Sequence, residues 1–418
     1  MKNDSGSSQK ITFVTATKYH IILSYLLRHS FPRDYKKCLV INDAMRDASI
    51  TYERIRRLDS WDEVILLKNE KLGDVSKGGY LKRIIKLFQF KSDIEKLIKN
   101  KNMKKICLFT HGDDCSNFFA RSKYPSEIYL GEDGTFPYAG GIEMYDSFKT
   151  LSSMMEHTSN QKYGLSKLFK YINNGIKYLV KKLFFDFLIV DQGNRVNTIL
   201  LMRPDLYNHR FDRSKHKILK AVNNEHIIAN SFEELSKVFD YKKSDIYKDV
   251  DVIFFDSGMI GSDVCSPEEE VEFTMQLLSS FKDKNILIKL SPWGYVQKNN
   301  LYRIMCKEKS NVFIDDSSDE MPWEIIFYNN KDFLKNIVIS SHRSSVCFST
   351  YLLFNIENDV VCFSNVVLEK FNFSEEGKIT TNLSVEFLER IRESYLQKSI
   401  YIPTNLSELS VANQNKDV

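Results

Sequence analysis

The 418-residue chain is short of the features that mark several large protein classes. It holds 16 glycines and 8 prolines, too few for a collagen-like or low-complexity architecture. No run of eighteen uninterrupted apolar residues occurs, and the polar start Met1 to Lys10 lacks the apolar centre of a secretion signal, so a cytosolic or peripheral protein is expected. The seven cysteines, an odd number, include no metal-binding pair; most stand in apolar runs and read as reduced core thiols. Lys and Arg total 59 against 55 Asp and Glu, and with no dominant basic stripe the chain is not expected to bind nucleic acid. After the first strand-like run comes Ala16-Thr17-Lys18-Tyr19-His20, not a G-x-G-x-x-G turn, so a dinucleotide cofactor is not expected. A Walker-type phosphate loop and repeats at solenoid spacing are also missing.

What the chain does have is a regular succession of short apolar, β-branched runs. The first half offers Ile11–Thr15, Cys38–Ile41, Glu63–Leu67, Ile106–Phe109 and Glu127–Leu130; the second offers Val252–Phe255, Ile286–Ile288, Val312–Ile314, Ile337–Ile339 and Val360–Phe363. Helical patterns fall between them, at Gly79–Lys99, Pro267–Phe281, Asn299–Lys307 and Pro322–Leu334. Continuous apolar strands separated by helices predict parallel sheets covered on both faces, and two such sets predict two doubly wound α/β domains. The spacing sets these at residues 11–245 and 250–400, joined by a charged segment between Phe239 and Asp251, with flexible tails at 1–10 and 412–418. Asp249-Val250-Asp251 has the look of a metal-binding D-x-D, but it precedes its strand and reads as linker.

Open α/β sheets place their ligand chemistry at the carboxyl ends of the strands. Three loops there carry polar groups. Gly131-Glu132-Asp133-Gly134-Thr135 follows the fifth run with paired carboxylates, a candidate base or else a tight turn in which Gly134 supplies a positive φ. Lys289-Leu290-Ser291-Pro292 follows the seventh. Ser340-Ser341-His342-Arg343-Ser344-Ser345 follows the ninth and gathers hydroxyls and N–H groups where a helix begins, either as an anion site or as simple N-caps. His342 either adds charge to that anion site or is a structural histidine bonding a loop carbonyl, and His20 either borders a ligand or simply begins the first helix. His111-Gly112-Asp113-Asp114 reads as a polar surface turn. Residues 162–190 interleave Lys167, Lys170, Lys177, Lys181 and Lys182 with Leu, Phe, Ile and Tyr, which fits either an anionic membrane surface or a core-facing helix with a solvated lysine face.

Glu132-Asp133-Gly134, Lys289-Leu290-Ser291-Pro292 and Ser344-Ser345 resemble, in order and spacing, the acidic-acidic-Gly, His-Pro and Ser/Thr motifs of bacterial sialyltransferases of the lipooligosaccharide and polysialic acid capsule type. Thr15 to His20 is similar to that family's first loop, Phe255-Asp256-Ser257-Gly258 to the loop opening its second domain, and Pro322-Trp323-Glu324-Ile325-Ile326 to the helix before the serine motif. The resemblance, from about Ile11 to Phe363, implies a GT-B fold with two facing domains across a cleft. It implies inverting transfer of sialic acid or a related nonulosonic acid from a CMP-activated donor to an oligosaccharide or glycolipid acceptor, without an essential metal or other cofactor. Such an enzyme builds capsule or lipopolysaccharide from the cytoplasmic face of the bacterial inner membrane. On that likeness Asp133 is the base with Glu132 beside it, Asp256 or Asp263 is the alternative base, and Thr17, His20 and Gly134 border the acceptor. Lys289, Ser291, Pro292, Arg343, Ser344 and Ser345 hold the donor. The chain departs from the family where the His-Pro histidine is replaced by Ser291, which cannot carry a charge; His342 and Arg343 are the nearest substitutes. That departure leaves open another nucleotide sugar, such as CMP-Kdo, or a non-catalytic glycan- or nucleotide-binding assembly partner.

Overall fold

The structure is a computed structural model and describes residues 9–68, 80–109, 114–134, 138, 195–207, 216–256, 264–291, 296–315, 321–342, 344–373, 375–405 and 407–408. The basic stretch at 162–190, His111 to Asp113, Asp263, Pro292, Arg343 and the tails at 1–8 and 412–418 lie outside them. Among the described residues no helix is long and apolar enough to cross a membrane.

The chain divides into two compact units, Met1–Ile227 and Ile228–Val418. In the first, β1 (Lys10–Thr15), α1 (Lys18–Leu27), β2 (Lys36–Asn42), α2 (Ala48–Arg56), β3 (Glu63–Leu67), α3 (Tyr80–Asn100), β4 (Lys105–Leu108), α4 (Asp114–Arg121), β5 (Glu127–Gly131), β6 (Thr198–Leu201) and β7 (Lys217–Lys220) follow in order. All seven strands are parallel, arranged β3-β2-β1-β4-β5-β6-β7. The sequence of β1, KITFVT, is buried from Ile11 onward, as expected for a central strand with helices on both faces. Lys10, expected in the tail, instead opens this strand and pairs with Glu63 of β3 at 2.6 Å.

The second unit contains most of α5 (Glu225–Val238), then β8 (Val252–Phe255), α6 (Pro267–Leu278), β9 (Ile286–Lys289), α7 (Val296–Lys307), β10 (Val312–Ile314), α8 (Trp323–Asn329), α9 (Lys331–Leu334), β11 (Val338–Ser341), α10 (Ser349–Phe354), β12 (Asp359–Cys362), α11 (Ser364–Lys370), α12 (Glu375–Ser394) and β13 (Ile400–Tyr401). Its parallel sheet runs β10-β9-β8-β11-β12-β13. Helix α5 belongs here because Phe232 stacks on Tyr328 and meets Phe354 edge-on, which places the division upstream of the charged segment between Phe239 and Asp251. Asp251 of the D-x-D accepts the Asn285 N–H at 2.8 Å, fastening the entry to β8.

Both sheets reverse strand order next to their first strand, between β1 and β4 and between β8 and β11. Such switch points open a crevice at the carboxyl ends, where a ligand finds backbone groups from diverging loops. Helix α6 starts at Ser266 in a capping box, the Ser266 hydroxyl accepting from Glu269 N–H and the Glu269 carboxylate from Ser266 N–H. The helix expected over Pro322–Leu334 is broken at Asn330, whose amide donates to Tyr241 Oη at 2.6 Å and to Ile326 O at 2.8 Å.

Candidate functional site

In the first unit three loops at the carboxyl edge meet around one carboxylate. Thr17 caps α1 by accepting the His20 N–H at 3.1 Å, which sets His20 in the first turn. The imidazole is 1% exposed and stacks on Phe109, just past β4, at 5.1 Å between centroids. Its Nδ1 accepts the Ala16 N–H at 3.2 Å, so the ring proton resides on Nε2 and is donated to Asp133 Oδ1 at 3.2 Å. Asp133 follows β5 and keeps 39% of its side chain exposed, so one carboxylate oxygen is oriented while the group still reaches solvent.

Glycines make this approach feasible. A Cβ on Gly131 would lie 2.7 Å from the Phe109 ring, so the bare backbone is what lets the ring that carries His20 press against β5. Gly134 has φ 57°, a left-handed turn that ends the acidic loop directly after Asp133.

Glu132 points the other way. It is fully buried and accepts hydrogen bonds from Tyr138 Oη, from Met202 N–H at 2.9 Å and from Tyr19 Oη at 3.5 Å, tying the end of β5 to the end of β6. Burial pushes its carboxyl up to about 7 despite those donors. The two acids of the motif therefore divide the work: Glu132 anchors the loop and Asp133 faces outward.

In the second unit the switch point is occupied by a charge cluster. Asp256, one residue past β8, and Glu270 of α6 flank the ammonium of Lys298 of α7; Lys298 Nζ lies 2.8 Å from Asp256 Oδ2 and 3.0 Å from Glu270 Oε1. All three side chains are at most 3% exposed. Burial pushes the Glu270 carboxyl up against the pull of Lys298; burial also acts to lower Lys298, but the two carboxylates outweigh it and hold the ammonium charged. Thr274, one turn beyond Glu270, donates its hydroxyl to Glu270 O at 2.8 Å, so it accepts from His342 Nε2 at 3.1 Å. His342 is completely buried, edge-on to Phe254 of β8 at 5.1 Å.

This arrangement assigns structural work to two of the expected catalytic groups. The Asp256 side chain is fully buried and locked to Lys298, which does not suit a base that must meet an acceptor. His342, completely buried after β11 and against Phe254, gives its Nε2–H to Thr274. Asp256, Glu270 and His342 present ligand atoms within 4.8 Å of one another, a set that suits a divalent ion, but the Lys298 ammonium already lies between the two carboxylates.

Of the expected donor residues, Lys289, Ser291, Ser344 and Ser345 lie among those described. Ser291 is 7% exposed, and its N–H points at Asp256 Oδ2 over 3.5 Å. Lys289 donates to Met321 O at 3.2 Å. Ser341 Oγ accepts the Ser344 N–H at 2.9 Å, and Ser344 Oγ caps a 3-10 turn over Ser345–Phe348 that runs into α10. Ser345 is exposed. The N-capping that the sequence allowed is thus present. Glu324, 3% exposed at the start of α8, is a further buried carboxyl, pushed up by burial with Ser349 and Lys289 acting against the shift.

Sequence reasoning passed over Lys298 and Glu270. A signal was there: Lys298, Tyr302 and Cys306 recur at four-residue spacing on the buried stripe of α7, as do Glu270, Thr274 and Leu278 on α6. Opposite charges at the heads of two apolar stripes point to a buried pair.

No protein-family model matches the chain, and no curated protein matches it. Among solved structures it is similar to the Methanocaldococcus jannaschii UDP-GlcNAc 2-epimerase in complex with UDP-GlcNAc and UDP, at 13% identity over 98% of this chain and 94% of that one, with a TM-score of 0.50. With the two parallel sheets, that likeness decides the architecture. The chain has the GT-B fold. It is also similar to S. aureus MnaA in a co-structure with UDP, at 12% identity over 97% and 87% of the two chains and a TM-score of 0.49. Acinetobacter baumannii MurG is similar at 7% identity over 97% and 90%, with a TM-score of 0.44.

Proposed function

We propose that the protein is a sugar-processing enzyme of the nucleotide-sugar class, an inverting glycosyltransferase that moves a CMP-activated sialic or related nonulosonic acid to a bacterial surface glycan. The observation that carries the reading is the carboxylate of Asp133, oriented by a neutral imidazole and still open to solvent.

A nonulosonic donor reacts through an oxocarbenium-like centre, and the enzyme's tasks are to remove the acceptor hydroxyl's proton and to stabilise the departing phosphate. Asp133 takes the proton. His20, with Nδ1 engaged by the Ala16 amide, acts as orienter and not as a proton carrier. Glu132 holds the loop through Tyr138 and Met202. On the donor side the Ser291 loop, Lys289 and the Ser344–Ser345 turn supply the polar groups, with Pro292 and Arg343 completing the set. Acceptor contacts fall to Thr17, His20 and Gly134. The reading invokes no resident metal, and the stretch at 162–190 is assigned to the anionic membrane surface.

The test is donor turnover by the purified full chain. With CMP-sialic acid, release of CMP is expected from the wild type and a loss of about 10²- to 10⁴-fold from Asp133→Asn, the range for removing a general base. Normal turnover by that variant would remove the base assignment. A second donor reading rests on the similar structures that carry UDP: stabilisation by UDP and not by CMP would reassign the donor to a UDP-sugar. Silence with every activated sugar, with nucleotide binding intact, would indicate an assembly partner.

A further inference from the structure

The buried ammonium of Lys298 is the common point of the loops at the carboxyl edge of the second sheet. Through Asp256 it holds the end of β8, and Asp256 Oδ2 in turn faces the Ser291 N–H at the end of β9. Through Glu270 it holds α6, whose Thr274 receives the His342 Nε2–H at the end of β11, two residues before Ser344. Tyr302, one turn beyond Lys298 and completely buried, closes the cluster beneath. A lysine fully removed from water is retained only where carboxylates compensate its charge, and removing one partner of such a cluster leaves uncompensated charge behind.

We propose that Lys298 is a positioning residue of the donor half-site: its ammonium fixes the β8, β9 and β11 ends relative to one another, so that the Ser291 and Ser344 loops stand in register before any nucleotide arrives. The inference deepens the functional reading above and rests on it for the identity of the ligand.

Three variants of the full chain separate this role from simple packing. Lys298→Met keeps the length and removes the charge, Lys298→Arg returns the charge, and Thr274→Val removes the hydroxyl that meets His342 while leaving both carboxylates on Lys298. Amide hydrogen exchange is read without ligand at 289–291 and 341–346, with 252–255 of β8 as the internal reference. Lys298→Met is expected to raise exchange at both segments at least tenfold over the reference strand, Lys298→Arg to recover most of that protection, and Thr274→Val to raise it at 341–346 alone. Unchanged exchange in Lys298→Met, a uniform rise that includes 252–255, or no better protection in the arginine variant would overturn the proposal. If Lys298→Met does not fold, Thr274→Val decides: an effect spread equally over both segments, or none, counts against it.

Thermal shift with CMP and with UDP completes the test. The shift given to wild type is expected to vanish in Lys298→Met, and its full retention would also overturn the proposal. A wild type that responds to neither nucleotide would instead bring down the functional reading, while the exchange pattern would still decide the role of Lys298.

Discussion

Asp133 and His20 illustrate how one backbone amide settles a chemical role. Because Ala16 N–H occupies Nδ1, His20 presents a fixed Nε2–H to Asp133, and the carboxylate rather than the imidazole is the group free to accept a proton. Gly131→Ala tests the support beneath it. The new methyl would meet the Phe109 ring at 2.7 Å, displacing the platform on which His20 stacks. A loss of about 1–3 kcal/mol in urea unfolding is expected, as for other overpacked sites, together with a fall in turnover. Glu132 gives a pH prediction. Its folded-state value, raised by burial from the ordinary 4.5 to about 7, means its favourable contribution is complete below pH 4.5 and is lost as pH rises through 7. Replacing it by Gln, which retains an oxygen acceptor for Tyr138 and Met202, is expected to flatten the pH profile of the unfolding free energy between pH 5 and 8, by up to about 3 kcal/mol across the range. Identical profiles for the two proteins would refute the assignment. Asp133 and His20 were legible in the sequence as a carboxylate loop and a first-turn histidine. Their pairing was not, since 113 residues separate them and only the sheet brings them together.

Elements were legible where their local signals agreed. The ten apolar runs all form strands, and the inner ones, β1, β8 and β9, are buried along nearly their whole length, as their uninterrupted hydrophobic pattern requires. The strands that were passed over are β6, β7 and β13. β7 reads Lys-Ile-Leu-Lys and is mostly exposed, while β13 has two residues; neither carries enough apolar sequence to stand out. The start of α6 was also legible, from Ser266 followed by Pro267 and three glutamates. Ser266→Ala removes one half of the capping box and is expected to lower stability by about 1 kcal/mol, measurable as a shift in the urea midpoint without a change in slope. Helix α7 shows the opposite limit. The helix was expected only from Asn299, so its buried Lys298 was passed over; Lys is rarely buried, and the carboxylates delivered by β8 and α6 explain its place.

At the scale of the whole molecule, the doubled strand order was foreseeable in kind from the two sets of βα units, and the proposed function guides the choice of ligands to try. CMP at a hundred times its dissociation constant is expected to stabilise the chain by about 2.7 kcal/mol, and a panel with UDP, CDP and GDP in calorimetry reads which base is preferred. The outer rim of the seven-stranded sheet adds a last consequence. Among the described residues β7 ends that sheet and carries exposed Lys217 and Lys220, so two copies meeting along β7 would bring like charges together before any backbone pairing formed. Exchanging both for valine is therefore expected to promote association, read as a rise in light scattering on concentration.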